Sequence, residues 1–279
     1  MLSNGVIARL QAAKELAREA GAKALDLHRG RTTLDVISKG PQDRVTEADR
    51  AVEDLIRDGL ADRFSGDAFL GEESGASAGE LDRHEGIWVV DPIDGTDCFV
   101  FGIPSWCISI AWLHRGQMTV GVIYDAIHDE MFAAARGHGA FLNDRPITAS
   151  SATDTSGGLI GIGYSSRVSP AATLAAMQRL MEAGGMFHRC GSGALSLAWV
   201  AAGRLVGYFE PHINSWDCLA GLLLVREAGG WTNDFLAGDG LTRGNPAIAS
   251  APGLIDHIKF VSGLVPAGAG PADGVGAPA

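Results

Sequence analysis

The apolar run Ile87-Trp88-Val89-Val90 ends directly on Asp91-Pro92-Ile93-Asp94-Gly95-Thr96, and no other feature restricts the fold of this chain as strongly. A short apolar segment bounded by turn residues reads as a buried strand. This one delivers two carboxylates to its far end, together with a rigid proline and a glycine that allows close backbone approach. Two further acidic clusters adjoin apolar segments in the same way. Gly71-Glu72-Glu73-Ser74-Gly75 follows Ala68-Phe69-Leu70, and Trp216-Asp217 precedes a helical pattern over 218–228. Ligands in α/β architectures bind at loops beyond the strand ends, so clusters far apart in sequence can meet in one cleft.

The rest of the chain supports an α/β reading in which strands and helices are mixed throughout. Over residues 2–27 the apolar positions Ile7, Leu10, Leu16, Ala20, Ala24 and Leu27 recur at helical spacing with charges between them, which predicts a long amphipathic helix. A second helix follows through Val52, Leu55 and Ile56, with Thr46 placed to cap it. Further strands are predicted over 107–113, 119–124, 131–135, 159–164 and 205–209, and a further helix over 171–183. Residues 266–279 are almost entirely Pro, Gly and Ala, with one Asp and one Val, a tail expected to be disordered.

The formal net charge of −11, with no local run of Lys and Arg, repels a nucleic-acid backbone, so no polynucleotide partner is expected. Cys98, Cys107, Cys190 and Cys218 lie far apart without CxxC spacing, which suggests neither a zinc knot nor a redox dithiol and fits the cytoplasm. Arg9, Lys14, Glu15 and Arg18 interrupt the N-terminal apolar residues, and no apolar run is long enough to span a membrane. No membrane association is expected.

Convergent carboxylates repel one another unless cations neutralise them. Their hard oxygens suit Mg²⁺, whose shell is commonly completed by water and phosphate. A calcium-binding EF-hand starting at Asp91 fails, because Ile93 holds the third place and Gly102 the twelfth. Gly161-Ile162-Gly163 lacks the third glycine of a dinucleotide fingerprint. Gly191-Ser192-Gly193 lacks the outer glycines of a nucleophile elbow. The eight histidines show no zinc spacing.

Taken in order, Gly71-Glu72-Glu73-Ser74, Trp88-Val89-Val90-Asp91-Pro92-Ile93-Asp94-Gly95-Thr96 and Trp216-Asp217-Cys218-Leu219-Ala220-Gly221 resemble the signatures of the inositol monophosphatase family. Val45-Thr46-Glu47-Ala48-Asp49, Gly191-Ser192-Gly193-Ala194 and Arg226-Glu227-Ala228-Gly229-Gly230 are similar to its supporting segments. The resemblance covers nearly the whole folded chain.

It implies a layered α-β-α-β-α sandwich forming one domain over 1–265, with a metal site in the half 1–148 that is completed by the half 149–265. It implies Mg²⁺-dependent, lithium-sensitive hydrolysis of a small phosphomonoester by a homodimer. Two or three ions would be held by Glu72, Asp91, Asp94, Asp217 and the Ile93 carbonyl, with Asp91 bridging two of them. Glu72 and Thr96 would orient the attacking water, and Asp49 would hold the Thr96 hydroxyl. Gly95 and Thr96 would offer backbone amides to the phosphate, while Asp94, Gly193, Glu210 and Asp217 would face the organic part of the substrate.

Inositol 1-phosphate or a related polyol or sugar phosphate ranks first as substrate, ahead of histidinol phosphate and the 3′-phosphate of a phosphoadenosine nucleotide. A binding module that keeps the fold without catalysis is the non-enzymatic alternative. The chain departs from the family pattern at Cys98, where Asn is frequent, and at Phe101, where His or a polar residue is frequent. Cys98 reads as a buried small hydrophobe.

Overall fold

The computed structural model describes residues 3–29, 36–40, 43–76 and 81–264, with backbone alone for 36–40 and 43–46. The expected tail at 266–279 lies outside the described residues, as does the Thr46 side chain.

Helix α1 (Asn4–Arg29) buries Ala12, Ala13, Leu16, Ala17, Ala20 and Ala24, a stripe at helical spacing made mostly of small residues. Ile7, by contrast, is 42% exposed and falls off this stripe. A hairpin of β1 (Val36–Gly40) and β2 (Asp43–Thr46) leads into α2 (Glu47–Arg63), which buries Ala48, Val52, Ile56 and Leu60.

The first sheet is built from β3 (Ala68–Gly71), β4 (Gly86–Asp94), β5 (Cys107–His114), β6 (Gln117–Asp125), β7 (Glu130–Ala135), β8 (Ala140–Leu142) and β9 (Arg145–Ile147). Its strands lie side by side in chain order; β3 and β4 are parallel and the remaining neighbours antiparallel. Helix α3 (Thr96–Phe101) follows β4.

The second sheet contains β10 (Leu159–Ile162), β11 (Met186–His188), β12 (Gly207–Ile213), β13 (Trp231–Thr232) and β14 (Asn245–Ser250), in the order β11-β10-β12-β14-β13. Its helices are α4 (Pro170–Glu182), α5 (Gly193–Ala201), α6 (Ser215–Glu227), the short α7 (Gly240–Arg243) and α8 (Ile255–Ser262).

These elements stack as five layers. Helices α1 and α2 cover one face of the first sheet, α5 and α6 lie between the two sheets, and α4 and α8 cover the outer face of the second. The layered α-β-α-β-α architecture is therefore present. Among the described residues no helix is long and apolar enough to cross a membrane.

The middle layer explains why α5, and α6 from Cys218 to Val225, carry almost no polar side chains: a helix with a sheet on each side has no wet face. In α6, Leu219, Leu222, Leu223, Leu224 and Val225 are all buried. Close packing here depends on Gly121 of β6. A Cβ at that position would lie 2.7 Å from the Ala220 carbonyl oxygen and 3.1 Å from its Cα, both backbone atoms of α6.

Backbone cannot rotate away as a side chain can, so Gly121→Ala is expected to destabilise the protein by about 1–3 kcal/mol through overpacking. It should also push on the turn that carries Asp217. Thermal unfolding should show a midpoint lower by several degrees, at about 2–4 °C per kcal/mol for a chain of this size. An unchanged midpoint would mean that sheet and helix are not held in contact there.

Two predicted boundaries require correction. The strand expected over 205–209 runs instead over Gly207–Ile213 and carries Glu210 within it rather than at its end. Pro211 is tolerated because the register against β14 shifts between Glu210 and Ile213, leaving no ladder bond for the missing N–H to break. The helix expected over 218–228 starts at Ser215, which places Asp217 in its first turn. An acid is favoured there by the unpaired amides of the helix start.

Candidate active site

Strand β4 continues through the acidic motif to Asp94. Pro92 has no N–H to donate, and the pairing with β5 shifts register between Asp91 and Asp94. Asp91 Oδ1 accepts the Ile93 amide at 2.9 Å, which turns its carboxylate back over the strand end. Asp94 Oδ2 accepts the Ser192 hydroxyl at 2.5 Å and the Ala194 amide at 2.6 Å, both at the start of α5. Ser192 is also the N-cap of that helix, accepting from the Leu195 amide. Asp217 enters from α6, where its Oδ2 accepts the Asn214 amide at 3.2 Å. One sheet and two middle-layer helices thus bring Asp91, Asp94 and Asp217 together, with one oxygen of each within 4.8 Å of the others.

Glu72 comes from the turn after β3, next to β4, and its amide bonds to the Val90 carbonyl at 3.1 Å. The turn is held from behind by buried Glu53 of α2, whose carboxylate accepts the amides of Glu73 at 2.8 Å and Ser74 at 2.9 Å. This arrangement places the Glu72 side chain in the same cleft as Asp91.

The electrostatics of the cluster follow from this crowding. Burial, then repulsion from Asp217 and Asp49, raises the Glu72 carboxyl well above its ordinary value. Burial, then Glu72 and Asp94, does the same to Asp91. Burial and the Asp94 charge push Asp217 up to about 8. Asp94 rises only to about 6, because burial is opposed by the bonds from Ser192 and Ala194. Acids that resist ionising together are what a divalent cation relieves. Their all-oxygen donor set fits a hard ion such as Mg²⁺.

Thr96 opens α3, and its Oγ1 lies 3.3 Å from Asp49 Oδ1 and 3.2 Å from the Ile93 carbonyl oxygen. Asp49 itself is fully buried in the first turn of α2. Gly95 has φ +99°, a left-handed conformation that favours glycine, and a Cβ there would meet the Ser105 carbonyl oxygen at 2.8 Å. Gly193 begins α5, with a place for its missing Cβ 2.6 Å from Ile213 Cδ1. Glu210 lines the same cleft of about 760 Å³ as Glu72, Asp91, Asp94 and Asp217. Burial pushes its carboxyl up to about 7, against the opposing pull of the Tyr208 hydroxyl, Arg189 and Arg167. The structure therefore brings the predicted carboxylates, Ile93, Gly95, Thr96 and Gly193 to one cleft and sets Asp49 behind Thr96.

The family model described as "Inositol monophosphatase family" matches residues 8–258. The chain belongs to the inositol monophosphatase family. It is 38% identical over 251 residues to a protein of Mesorhizobium japonicum named inositol-1-monophosphatase, covering 89% of this chain and 91% of that one. It is 37% identical over 252 residues to a Pasteurella multocida protein named Nus factor SuhB, covering 89% and 93%. The extragenic suppressor protein suhB from Bartonella henselae has a solved structure that superposes with a TM-score of 0.85 at 35% identity, covering 91% of this chain and 98% of that one.

Against the family pattern, Cys98 is 7% exposed, with its Sγ 3.7 Å from the Cys190 carbonyl oxygen. It packs as a small buried group. Phe101 is 63% exposed and lines the cleft. Sequence reasoning missed the groups that hold the carboxylates rather than the carboxylates themselves. Ser192 and Ala194 hold Asp94, Glu53 holds the Glu72 turn, and the Tyr208 hydroxyl donates to Glu210. Only Ser192 carried a readable signal, as a serine placed to cap a helix. Arg167 and Arg189, which also line the cleft, were missed as well.

Proposed function

We propose that this protein hydrolyses a small phosphomonoester, inositol 1-phosphate or a related polyol or sugar phosphate, with Mg²⁺ held by Glu72, Asp91, Asp94, Asp217 and the Ile93 carbonyl. The observation that carries this reading is the trio of buried Asp91 and Asp94 with half-buried Asp217, which opens on a cleft that also holds Glu210. When bound, Mg²⁺ would stabilise charge on the phosphoryl oxygens and activate water for attack.

The protein's own groups supply orientation. By donating to Asp49 Oδ1, Thr96 Oγ1 keeps its lone pairs available to accept a hydrogen bond from the attacking water. Glu72, fixed by its turn, is placed to take the proton that the water gives up. The water oxygen bonds to phosphorus in line as the ester P–O bond breaks, and the departing oxygen takes up a proton. A thiol nucleophile is disfavoured, because burial raises the thiols of Cys98, Cys107, Cys190 and Cys218, opposite to the direction that activates one.

At the organic end, Glu210 offers an acceptor for hydroxyl groups, and the guanidinium groups of Arg167 and Arg189 line the same cleft. A cationic amine would meet those two arginines, which supports a polyol over histidinol phosphate. Glu210→Gln is expected to raise KM for inositol 1-phosphate about five- to tenfold, the range of one hydrogen bond. It should leave hydrolysis of p-nitrophenyl phosphate unchanged, since that ester has no hydroxyl for Glu210. Identical kcat/KM on every substrate would take Glu210 out of the site.

The second reading, a binding module, is favoured by the name Nus factor SuhB carried by several relatives. The two readings separate in a phosphate-release assay with Mg²⁺ against inositol 1-phosphate, histidinol phosphate and a 3′-phosphoadenosine nucleotide. Release from none of them, by protein that still binds Mg²⁺, would favour the binding module.

A further inference from the structure

The Gly161-Ile162-Gly163 segment has no part in the chemistry described above, and Tyr208 places a phenol hydroxyl in a buried core. In the parallel pairing of β10 with β12, Gly161 lies opposite Tyr208 and Ile162 opposite Phe209. The Gly163 amide then bonds to the Phe209 carbonyl at 2.9 Å. Side chains alternate along a strand. Accordingly Ile160, Ile162 and Phe209 pack into the outer core beneath α4 and α8, while Gly161, Gly163, Tyr208 and Glu210 share the opposite face.

On that face the glycines leave the space in which Tyr208 and Glu210 lie. A Cβ on Gly161 would stand 2.9 Å from Tyr208 Cδ2, and one on Gly163 would collide with both the Glu210 carboxylate and the Tyr208 hydroxyl. Gly163 has no positive φ, unlike Gly95 or Gly191. Backbone strain therefore does not explain this glycine, and the space it leaves does. Gly193 closes the third side, with a Cβ position 3.3 Å from the Tyr208 hydroxyl.

We infer that Tyr208 is a positioning residue for Glu210: its hydroxyl fixes one carboxylate oxygen, and the glycines at 161 and 163 leave the room in which the pair can lie. The hydroxyl donates to Glu210 Oε2, and Oε1 is left to receive a substrate hydroxyl. A carboxylate on a three-torsion side chain loses much of its freedom when one oxygen is held in this way, so less has to be ordered when the substrate binds. The inference rests on the reading of Glu210 as a contact to the organic end of the substrate.

The simpler alternative is that Tyr208 is a core residue whose hydroxyl needed some partner. A double-mutant cycle separates the two. Tyr208→Phe should raise KM for inositol 1-phosphate about three- to tenfold, with kcat and the hydrolysis of p-nitrophenyl phosphate unchanged. Made on top of Glu210→Ala, the same change should have no further effect, because the group through which Tyr208 acts is already gone.

Gly163→Ala, which leaves the Tyr208 hydroxyl in place but takes the space shared by that hydroxyl and the Glu210 carboxylate, should raise the same KM and again spare the aryl ester. Wild-type kinetics in Tyr208→Phe, alongside impaired Glu210→Gln, would overturn the inference. So would equal losses on both substrates, or full additivity with Glu210→Ala, either of which marks a purely structural role. If Glu210→Gln were itself without effect, the reading beneath the inference would fail, a result distinct from failure of Tyr208 alone.

Discussion

Dialysis against EDTA is expected to abolish phosphate release, and added Mg²⁺ to restore it. Asp91, Asp94 and Asp217 are drawn into one group, the first two buried and the third half-buried, and no thiol in the cleft is poised to replace an ion. The same experiment has a second readout in stability, and its sign is set by the raised carboxyls. A group whose pKa is higher in the folded than in the unfolded chain binds more protons when folded, so stability falls as pH rises through the folded value.

With Glu210 at about 7, Asp94 at about 6 and Asp217 at about 8, the metal-free protein should melt at lower temperature at pH 8.5 than at pH 6. Mg²⁺ must displace those protons, so its stabilisation should be larger at the higher pH. At one hundred times the dissociation constant it should contribute about 2.7 kcal/mol, or roughly 5–10 °C. Full activity in EDTA, or a melting temperature indifferent to Mg²⁺ at pH 8.5, would remove the metal from the site.

How much of this could be read from sequence depended on the range over which each signal acts. Strands β3 and β4 were legible because a short apolar run ends on acids within a few residues. Helix α5 was not, since Gly193–Ala201 is apolar on every side and has no period to detect, a consequence of its place between two sheets. Strands β11 and β13, of three and two residues, are too short to alternate; tertiary pairing alone makes them strands. The same division runs through the site. The carboxylates stand out locally, and their grouping came with the family resemblance. Their supports act across the chain: Ser192 reaches Asp94 over 98 residues, and Glu53 reaches Ser74 over 21. No local pattern in Ser192 or Glu53 announces what it will hold.

Thr96→Ala is expected to lower turnover by about 10²–10⁴, the usual effect of losing one positioned proton-transfer or hydrogen-bonding group, while Mg²⁺ affinity changes little. The two effects separate because the Thr96 hydroxyl lies against Asp49 and the Ile93 carbonyl oxygen, not among the carboxylate oxygens of the cluster. A hydroxyl has one proton and two lone pairs. If that proton goes to Asp49, the lone pairs face the cleft as acceptors for the attacking water, and the Ile93 oxygen remains unshared. If it goes to Ile93 instead, Thr96 competes for an oxygen proposed to hold the ion, and its loss would tighten metal binding rather than leave it unchanged. Calorimetric Mg²⁺ affinity measured beside single-turnover rates distinguishes these cases. Thr96→Ser should recover most of the rate, since it restores the hydroxyl without the methyl. A collapse of Mg²⁺ affinity in Thr96→Ala, with normal turnover per bound metal, would make Thr96 a support of the ion and leave the water to be oriented by Glu72 alone.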